Sequence, residues 1–468
     1  MRRALPLALA FAALAPAGAD ARPVVTSASC SPCVGGGRVT VAGRGFVTGA
    51  RLLFAGDTRT LRDDRSAPAR VLSSGSLRGV VPAGATRGPV AVRAGGRLSN
   101  GSRPLALAGV AAVASLRVPT AFAGAGMWVW ELSRSASSAR ALVARARRTR
   151  LSVVYVKGAD GRSVWGQLTP VLVKTLHAAG IRVCAWQYTY GTRPEAEAAA
   201  GVASVRASGA DCFVIDAEVE YEGHYAAADR YVRALRAGLG TRFPVGVAGW
   251  PYADYHPAYP LSVFLGPGGA EASLPQVYWR TIGVPVDTAL AHTWASNLPY
   301  GHALYPLGQT SGSPPAVELD RFRGLTARWG APGASWWSWQ ATLEPSWREL
   351  SDPAGLAQGV APAPRAIGRG AKGDVVVWLQ EHLRRTAPRL ALTGYFGSQT
   401  QSALRAFQRA RALPATGVTD PATWAAVDAV RPVVPAWGSK LRALTAHAPA
   451  SARLRSVRRE IPALGRGR

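Results

Sequence analysis

The chain of 468 residues has little lysine, cysteine, methionine and histidine, and these shortages narrow its possible chemistry. Only 4 of its 55 basic residues are Lys, so Arg carries the formal charge of +28, as codon bias in a GC-rich genome would produce. The 7 His never stand at metal-ligand spacing, and neither H-E-x-x-H nor G-x-S-x-G occurs. We therefore expect no metal and no cofactor. Charge without a recognition motif also predicts no nucleic acid partner.

Long apolar runs are also missing after the first residues of the chain. Arg2 and Arg3 precede the apolar run Ala4–Leu14, and small-residue cleavage sites follow up to Ala21. This pattern predicts a signal peptide over residues 1–21. No later run reaches the ~18 apolar residues of a membrane span, so we expect no integral membrane segment. The protein is predicted to be secreted, extracellular or associated with the cell wall.

The four cysteines form two pairs along the chain. Cys30 and Cys33 have the spacing of half a zinc site, but an exported protein favours disulfides over metal. Cys184 and Cys212 fall on strands predicted to be neighbours. They could pair, but we expect two small buried core residues.

The spacing of apolar residues divides the chain after residue 21 into segments. Within residues 22–110, short runs alternate apolar and polar residues with period two, and Gly, Pro, Asp and Ser separate the runs. This pattern predicts a small antiparallel β-sandwich. The phrases GRVTVAGRGF, LLFAGD, VVPAGATRGPVAV and GGRLSN resemble the immunoglobulin-like IPT/TIG domain. That resemblance implies a spacer or an interaction module.

Residues 125–352 alternate short apolar runs with helical stretches. Eight such repeats predict a (β/α)8 TIM barrel, and an open doubly wound sheet would need a Gly-rich loop that is lacking. The predicted strands are residues 127–131, 151–157, 181–188, 212–218, 244–250, 274–279, 302–308 and 334–339.

A Pro/Ala linker over residues 353–366 leads to a short helical segment at 367–430. Its ordered GxxG, LQ, GxFG, FQ and TG motifs resemble the peptidoglycan-binding-domain-1 module, a small three-helix bundle. The resemblance implies a peptidoglycan partner. One departure is Thr393, where that family commonly has Asp, so the turn there should be capped differently. The tail at 431–468 holds nine basic residues and one acid, which favours a solvated segment or attraction to anionic wall polymers.

Asp216 and Glu218 close the fourth predicted barrel strand. Residues i and i+2 of a strand face the same way, so both carboxylates should project into the mouth of the barrel. Two close carboxylates cannot both ionise freely, and one of them should be able to donate a proton near neutral pH. Glycosidic cleavage needs such an acid. Capping of the next helix, or ion pairs with Arg, are the structural alternatives.

This segment resembles two families of barrel glycosidases. Family 25 muramidases carry D-x-E at the end of strand 4, matched by Asp216 and Glu218. Family 18 enzymes carry D-x-x-D-x-D-x-E, matched at Asp211, Asp216 and Glu218, but Val214 replaces the middle Asp. The resemblance implies Glu218 as proton donor and Asp216 as its assistant. The first strand lacks the Asp usual in family 25 and offers only Glu131, whereas Glu220 or Glu222 could replace Glu218 if the strand ends later.

Aromatic residues cluster at the predicted strand ends, where their faces can stack on sugars. We predict that substrate is bound by Trp130, Tyr188, Trp250, Tyr278, Trp279, Trp337 and Trp339. Together these features predict an exported cell-wall hydrolase that cleaves a β-1,4 bond of an N-acetylated glycan, most simply peptidoglycan. The alternatives are a non-catalytic wall-binding protein with a degenerate barrel, and an enzyme on another polysaccharide with only its anchor on peptidoglycan.

Overall fold

The computed structural model describes residues 22–31, 38–54, 65–82, 85, 89–102, 119–352, 354–355, 357 and 359–437. The chain divides into two compact units, Met1–Gly109 and Val110–Arg468. The predicted signal peptide, Cys33 and residues 438–468 of the tail lie outside the described residues. No helix in the described ranges is both long enough and apolar enough to cross a membrane.

The first unit is a curled antiparallel sheet with strand order β1-β2-β5-β4-β3-β6-β7. Its strands are β1 (Val24–Ser31), β2 (Arg38–Arg44), β3 (Arg51–Phe54), β4 (Arg65–Ser73), β5 (Ser76–Val80), β6 (Val90–Ala94) and β7 (Arg97–Leu98). Strand β4 pairs with β3 through its first half and with β5 through its second, so the strands form one continuous sheet. The antiparallel prediction is confirmed. The immunoglobulin-like sandwich is not, and the IPT/TIG assignment stays a prediction.

The second unit contains a parallel sheet consistent with a TIM-like barrel. Its strands are β8 (Gly124–Val129), β9 (Val153–Asp160), the short antiparallel β10 (Ser163–Val164), β11 (Arg182–Thr189), β12 (Cys212–Ala217), β13 (Val245–Ala248), β14 (Ala272–Ser273), β15 (Gln276–Val277), β16 (Ala303–Leu304), β17 (Leu307–Gln309) and β18 (Gly333–Trp337). The sixth predicted strand, residues 274–279, contains β15 and is preceded by β14, whereas the seventh, residues 302–308, is divided into β16 and β17. Strand β14 pairs with β16, and β15 pairs with β17, which continues through β18 to β8. The strand pairing therefore runs as one path that begins at β15 and ends at β16.

Helices follow most strands of this unit. They are α1 (Leu132–Ser135), α2 (Ala139–Arg148), α3 (Pro170–His177), α4 (Pro194–Ser208), α5 (Tyr225–Leu239), α6 (Leu261–Phe264), α7 (Trp279–Ile282), α8 (Val286–Asn297), α9 (Ala316–Arg328) and α10 (Glu344–Ser351). Helix α3 begins as its sequence indicates, with Pro170 in its first turn and the Thr169 hydroxyl accepting a hydrogen bond from the Leu172 N–H.

The interior of the barrel is a separate apolar cluster built from inward-facing strand residues, among them Trp128, Tyr155, Trp186 and Val214. Cys184 and Cys212 belong to this interior cluster, and they form a disulfide between the paired strands β11 and β12. The expectation of two free core cysteines was wrong, because the register places these residues directly opposite each other, 4.5 Å apart at Cα. Cys30 is also disulfide-bonded.

Three helices follow the linker: α11 (Asp374–Leu383), α12 (Ser398–Ala410) and α13 (Pro421–Asp428). Two buried glutamines, Gln380 and Gln408, each close a Thr-Gly turn. The side-chain carbonyl of Gln380 accepts hydrogen bonds from the backbone N–H groups of Thr393 and Gly394. The side-chain carbonyl of Gln408 accepts one from the backbone N–H of Gly417. The Thr393 hydroxyl accepts the Tyr395 N–H, so threonine caps the turn where Asp is common.

This helical module packs directly on the barrel through Asp374. The buried carboxylate accepts hydrogen bonds from the hydroxyls of Tyr225 (2.8 Å), Ser262 (2.6 Å) and Tyr300 (3.0 Å), and from the Ser262 N–H (2.7 Å). Burial raises the pKa of Asp374 to about 6, although these hydrogen bonds oppose the rise. The start of the basic tail packs here as well, since Trp437 lies 4.9 Å from the ring of Tyr225. The module is therefore docked on the barrel and does not hang from the linker.

Candidate active site

Asp216 is the fifth residue of β12, and Glu218 follows just after the strand ends. In the sheet register Asp216 pairs with Tyr188 on β11 and with Ala248 on β13, and Tyr188 pairs in turn with Asp160 on β9. These positions are at the carboxyl ends of parallel strands, which is the face where barrel enzymes carry their reacting groups.

The two carboxylates share one hydrogen-bond donor. The side-chain amide of Gln276, on β15, lies 3.0 Å from Asp216 Oδ1 and 3.0 Å from Glu218 Oε1. Because the three side chains come from separate segments and converge on one amide, Asp216 and Glu218 form a single site. Among the described residues, no Arg makes a hydrogen bond or an ion pair with either carboxylate, as a purely structural role would favour.

Burial changes the acidity of both groups. It raises the pKa of Glu218 to about 7, with the hydrogen bond from Gln276 opposing the rise and the charge of Glu220 adding to it. Burial and then the charge of Glu218 raise the pKa of Asp216 well above its ordinary value, against the attraction of Lys157. The pair therefore holds a proton near neutral pH, as its spacing in the sequence predicts.

Tyrosines surround the pair. Tyr188 donates a 2.9 Å hydrogen bond to Glu220, which holds that carboxylate beside the site. Tyr278 follows Gln276 by two residues. Burial is the main cause that raises the pKa of its phenol, and the charges of Asp216 and Glu218 raise it further. The Tyr259 hydroxyl donates to the Ala217 carbonyl between the two acids. The backbone that carries the pair is thus fixed from an adjacent loop.

The loop after β11 is held by one buried carboxylate, Glu197, in the first turn of α4. It accepts hydrogen bonds from the Thr189 hydroxyl (2.5 Å) and from the N–H groups of Tyr190 (2.7 Å), Gly191 (3.0 Å) and Arg193 (3.0 Å). Burial alone would raise the pKa of Glu197, but these donors lower it below its ordinary value. This acid is consequently structural, and it sets the position of Tyr188 and Tyr190 at the rim.

Half-buried aromatic residues cover the same end of the barrel interior. Trp130, Tyr188, Tyr278 and Trp337 all pack on the interior cluster and keep part of their surface exposed. Trp337 lies 6.4 Å from Trp130 in a stacked arrangement and meets Trp186 edge-on at 5.6 Å. Trp250, two residues beyond Ala248, stacks on the ring of His256 at 4.0 Å. Trp250 packs on the outer apolar cluster, whereas the other four rings pack on the barrel interior and offer an aromatic surface of the kind that sugars stack on.

Two of the predicted substrate-binding residues lie elsewhere. Trp279 is 1% exposed, stacks on Phe322, and donates its indole N–H to Glu318. Trp339 is 5% exposed and packs edge-on against Trp347. Both belong to the apolar shell between the barrel and its helices, so the structure does not bring them together with the four half-buried rings.

Two other acids considered in the sequence make contacts away from the Asp216–Glu218 pair. Asp211, at the start of β12, accepts hydrogen bonds from His177 and from the Val183 N–H, at the opposite end of the strand from Asp216. Glu131 makes an ion pair with Arg134 at 3.3 Å. Sequence reasoning did not assign Gln276 to the pair, and the only available signal was its place at a strand end.

Comparisons with known proteins agree with a two-part second unit. The family described as "Putative peptidoglycan binding domain" matches residues 372–427, so the helical module is a peptidoglycan-binding domain. A comparison with curated protein sequences finds no match.

The barrel is structurally similar to chitinase-type barrels. A chitinase from Chromobacterium violaceum is 11% identical, with TM-score 0.38 over 49% of this chain and 98% of that one. The chitinase ChiC from Aspergillus fumigatus is 16% identical, with TM-score 0.38 over 51% and 95%. The spore cortex-lytic enzyme SleL from Bacillus cereus is 11% identical, with TM-score 0.36 over 51% and 75%.

Proposed function

We propose that the protein is an exported bacterial cell-wall glycan hydrolase that cleaves a β-1,4 bond of an N-acetylated glycan, with peptidoglycan as its substrate. One observation carries the proposal. Two buried carboxylates, Asp216 and Glu218, share the amide of Gln276 at the carboxyl end of the barrel strands, below half-buried aromatic rings. A proton held near neutral pH and a surface for sugar stacking are what glycoside hydrolysis requires.

In the proposed reaction Glu218 is the general acid. Its proton passes to the glycosidic oxygen while the bond between that oxygen and the anomeric carbon breaks. The carbonyl oxygen of the substrate's own 2-acetamido group attacks the anomeric carbon, and Asp216 orients that group and stabilises the positive charge it acquires. Water then attacks the anomeric carbon while the bond from that carbon to the acetamido oxygen breaks, and Glu218 takes a proton from the attacking water, which restores both the acetamido group and the acid.

The docked module supports peptidoglycan as the substrate, because a peptidoglycan-binding domain fixed on the barrel keeps the site at the wall. Export through residues 1–21 would bring the protein to that location. The N-terminal unit would act as an IPT/TIG-like spacer, and the basic tail would add attraction to anionic wall polymers.

Hydrolysis can be tested with purified sacculi. Wild type and Glu218→Gln are incubated with them, and reducing ends and soluble fragments are followed over time. We expect release by the wild type and a loss of at least a hundredfold in the variant, with binding to sacculi unchanged. Glu195→Gln, a surface acid paired with Arg230, is the matched control and should behave as wild type.

Equal binding without release by either protein would contradict hydrolysis of peptidoglycan. Parallel assays on chitin and chitooligosaccharides then separate the alternatives. Release there indicates an enzyme that acts on another glycan while anchored to the wall, and no release on any substrate indicates a non-catalytic wall-binding protein.

A further inference from the structure

Lys157 occupies a position in the barrel that a lysine rarely takes. It lies on β9 with its side chain only 6% exposed, although it carries a charge. In the register of the sheet Lys157 pairs with Trp186, which pairs with Val214, so the three residues form one row across β9, β11 and β12. The row of Ala159, Gln187 and Ile215 follows it toward the mouth, and the row after that contains Asp160, Tyr188 and Asp216. Because alternate rows of a strand face the same way, the lysine lies one inward-facing layer below Asp216.

Aromatic rings and one acid fix the ammonium group of Lys157. Nζ lies 4.4 Å from the ring centre of Trp165, 5.0 Å from that of Trp186 and 5.7 Å from that of Trp130. It also makes a 2.5 Å contact with Asp160 Oδ2, in the layer of Asp216. Cation–π contacts on several sides restrict where the charge can point. The side chain thus reaches upward, toward the carboxylates.

Several polar groups face Asp216 from the surrounding elements. They are Glu218 and Glu220 after β12, Lys157 and Asp160 on β9, Tyr188 on β11, Tyr259 in the loop after β13, Gln276 on β15, and Tyr278 beyond it. Glu218, Glu220 and Asp160 each oppose a negative charge on Asp216, whereas Lys157 favours it. Without Lys157, the charges of Glu220 and Asp160, beside that of Glu218, would all favour the protonated form of Asp216.

We propose that Lys157 is a positioning residue that keeps the Asp216–Glu218 pair in a state with one proton and one negative charge. The proposal rests on the proposed function, since that state supplies both the acid for the leaving oxygen and a charge to stabilise the intermediate. In the row of Lys157, Val214 offers no group that could share a proton with Asp216. In our proposal Lys157, two strands away on β9, stabilises the negative charge of Asp216 instead.

Removing the ammonium should move the activity profile along the pH axis. In Lys157→Met the pair should lose each of its two protons at a higher pH, because the attraction that favours its negative charge is gone. The bell-shaped profile of kcat should therefore shift to higher pH by about one unit, with the rate at pH 5 reduced roughly tenfold. Lys157→Arg keeps the positive charge, so both limbs of its pH–rate profile should lie where they do in the wild type. Lys174→Met, an exposed residue of α3, is the control.

A lysine that only packed between tryptophans would lower kcat equally at every pH, and that result would overturn the proposal. A titration that needs no turnover separates this inference from hydrolysis itself. The carboxyl carbons of Asp216 and Glu218 are followed by carbon-13 NMR in the full chain, with Asp216→Asn and Glu218→Gln used to assign the signals. Higher midpoints in Lys157→Met, but not in Lys157→Arg, support the role even if no substrate is cleaved. Unchanged midpoints contradict it even if hydrolysis is observed.

Discussion

The side-chain amide of Gln276 donates a 3.0 Å hydrogen bond to Glu218, and this contact joins β15 to the end of β12. A donor to the ionised form of an acid stabilises that form, so the bond lowers the pKa of Glu218 against the effect of burial. Burial and this hydrogen bond together leave the pKa of Glu218 at about 7. The proposed activity should therefore depend on the side-chain amide of Gln276.

The first prediction concerns this amide. Gln276→Leu removes the donor, so the pKa of Glu218 should rise by about one unit, since a net hydrogen bond of ~1 kcal/mol corresponds to that shift. The general acid would then stay protonated to higher pH, and the alkaline limb of hydrolysis, near pH 7 in the wild type, should move up. A pH–rate profile checks this, with the exposed Gln399→Leu as control. An unmoved limb would contradict the pairing of Gln276 with Glu218.

The second prediction concerns the two classes of tryptophan. Trp130→Ala should weaken binding of soluble chitooligosaccharides about fivefold, because one stacked ring contributes on the order of 1 kcal/mol. Trp279→Phe should leave that affinity unchanged but lower the melting temperature, because the indole loses its hydrogen bond to Glu318 in the apolar shell. Calorimetric titration and thermal melting measure the two effects. Loss of affinity in Trp279→Phe would place that residue at the mouth after all.

The third prediction concerns the Cys184–Cys212 disulfide. The bond closes a loop with a sequence separation of 28, so replacing both residues by Ala should lower the free energy of unfolding of the second unit by about 3 kcal/mol. Urea unfolding followed by tryptophan fluorescence measures the loss. Cys30→Ala, in the first unit, should leave that transition unchanged. A double variant as stable as the wild type would show that the crosslink is dispensable.

The fourth prediction concerns Asp374. Asp374→Ala leaves three hydroxyls and one N–H without their acceptor in the interface with the module, and should cost about 2–4 kcal/mol. The module should then detach, and trypsin should cut the linker at 353–366 faster. Glu195→Ala removes only an exposed ion pair with Arg230 of α5 and should change little. Equal cleavage of both variants would indicate that Asp374 does not hold the module.

Much of the barrel could be predicted because its strands are short apolar runs that end at polar residues. Asp216 and Glu218 are only two residues apart, so period-two geometry predicts that they lie on one side of the chain where the strand ends. The division of the seventh strand and the additional strand β14 before the sixth could not be predicted, because both depend on pairing between distant segments. Cys184 and Cys212 show the same limit, since only the register of β11 against β12 decides whether two cysteines meet.

The partners of the site were harder to predict than the acids. Lys157 and Trp165 contact each other across a turn, but their relation to Asp216 passes through two strand pairings. Trp279 and Trp339 were predicted with the other strand-end aromatics, yet short helical turns direct them into the outer shell. Where a strand gives way to a helix, period-two reasoning no longer indicates which way a side chain points.

The docking of the peptidoglycan-binding domain on the barrel has a consequence for protein engineering. Binding domains are commonly deleted or exchanged as independent cassettes, but here deletion would expose Tyr225, Ser262 and Tyr300 and remove the residue they bind. The loop at His256–Pro257 would also lose its contact with the N–H of Asp374, and His256 is bonded to Glu222 close beyond the reactive pair. A truncated barrel would therefore confound loss of wall affinity with damage to the loop beside the acid pair, and point variants in the interface are the cleaner tool.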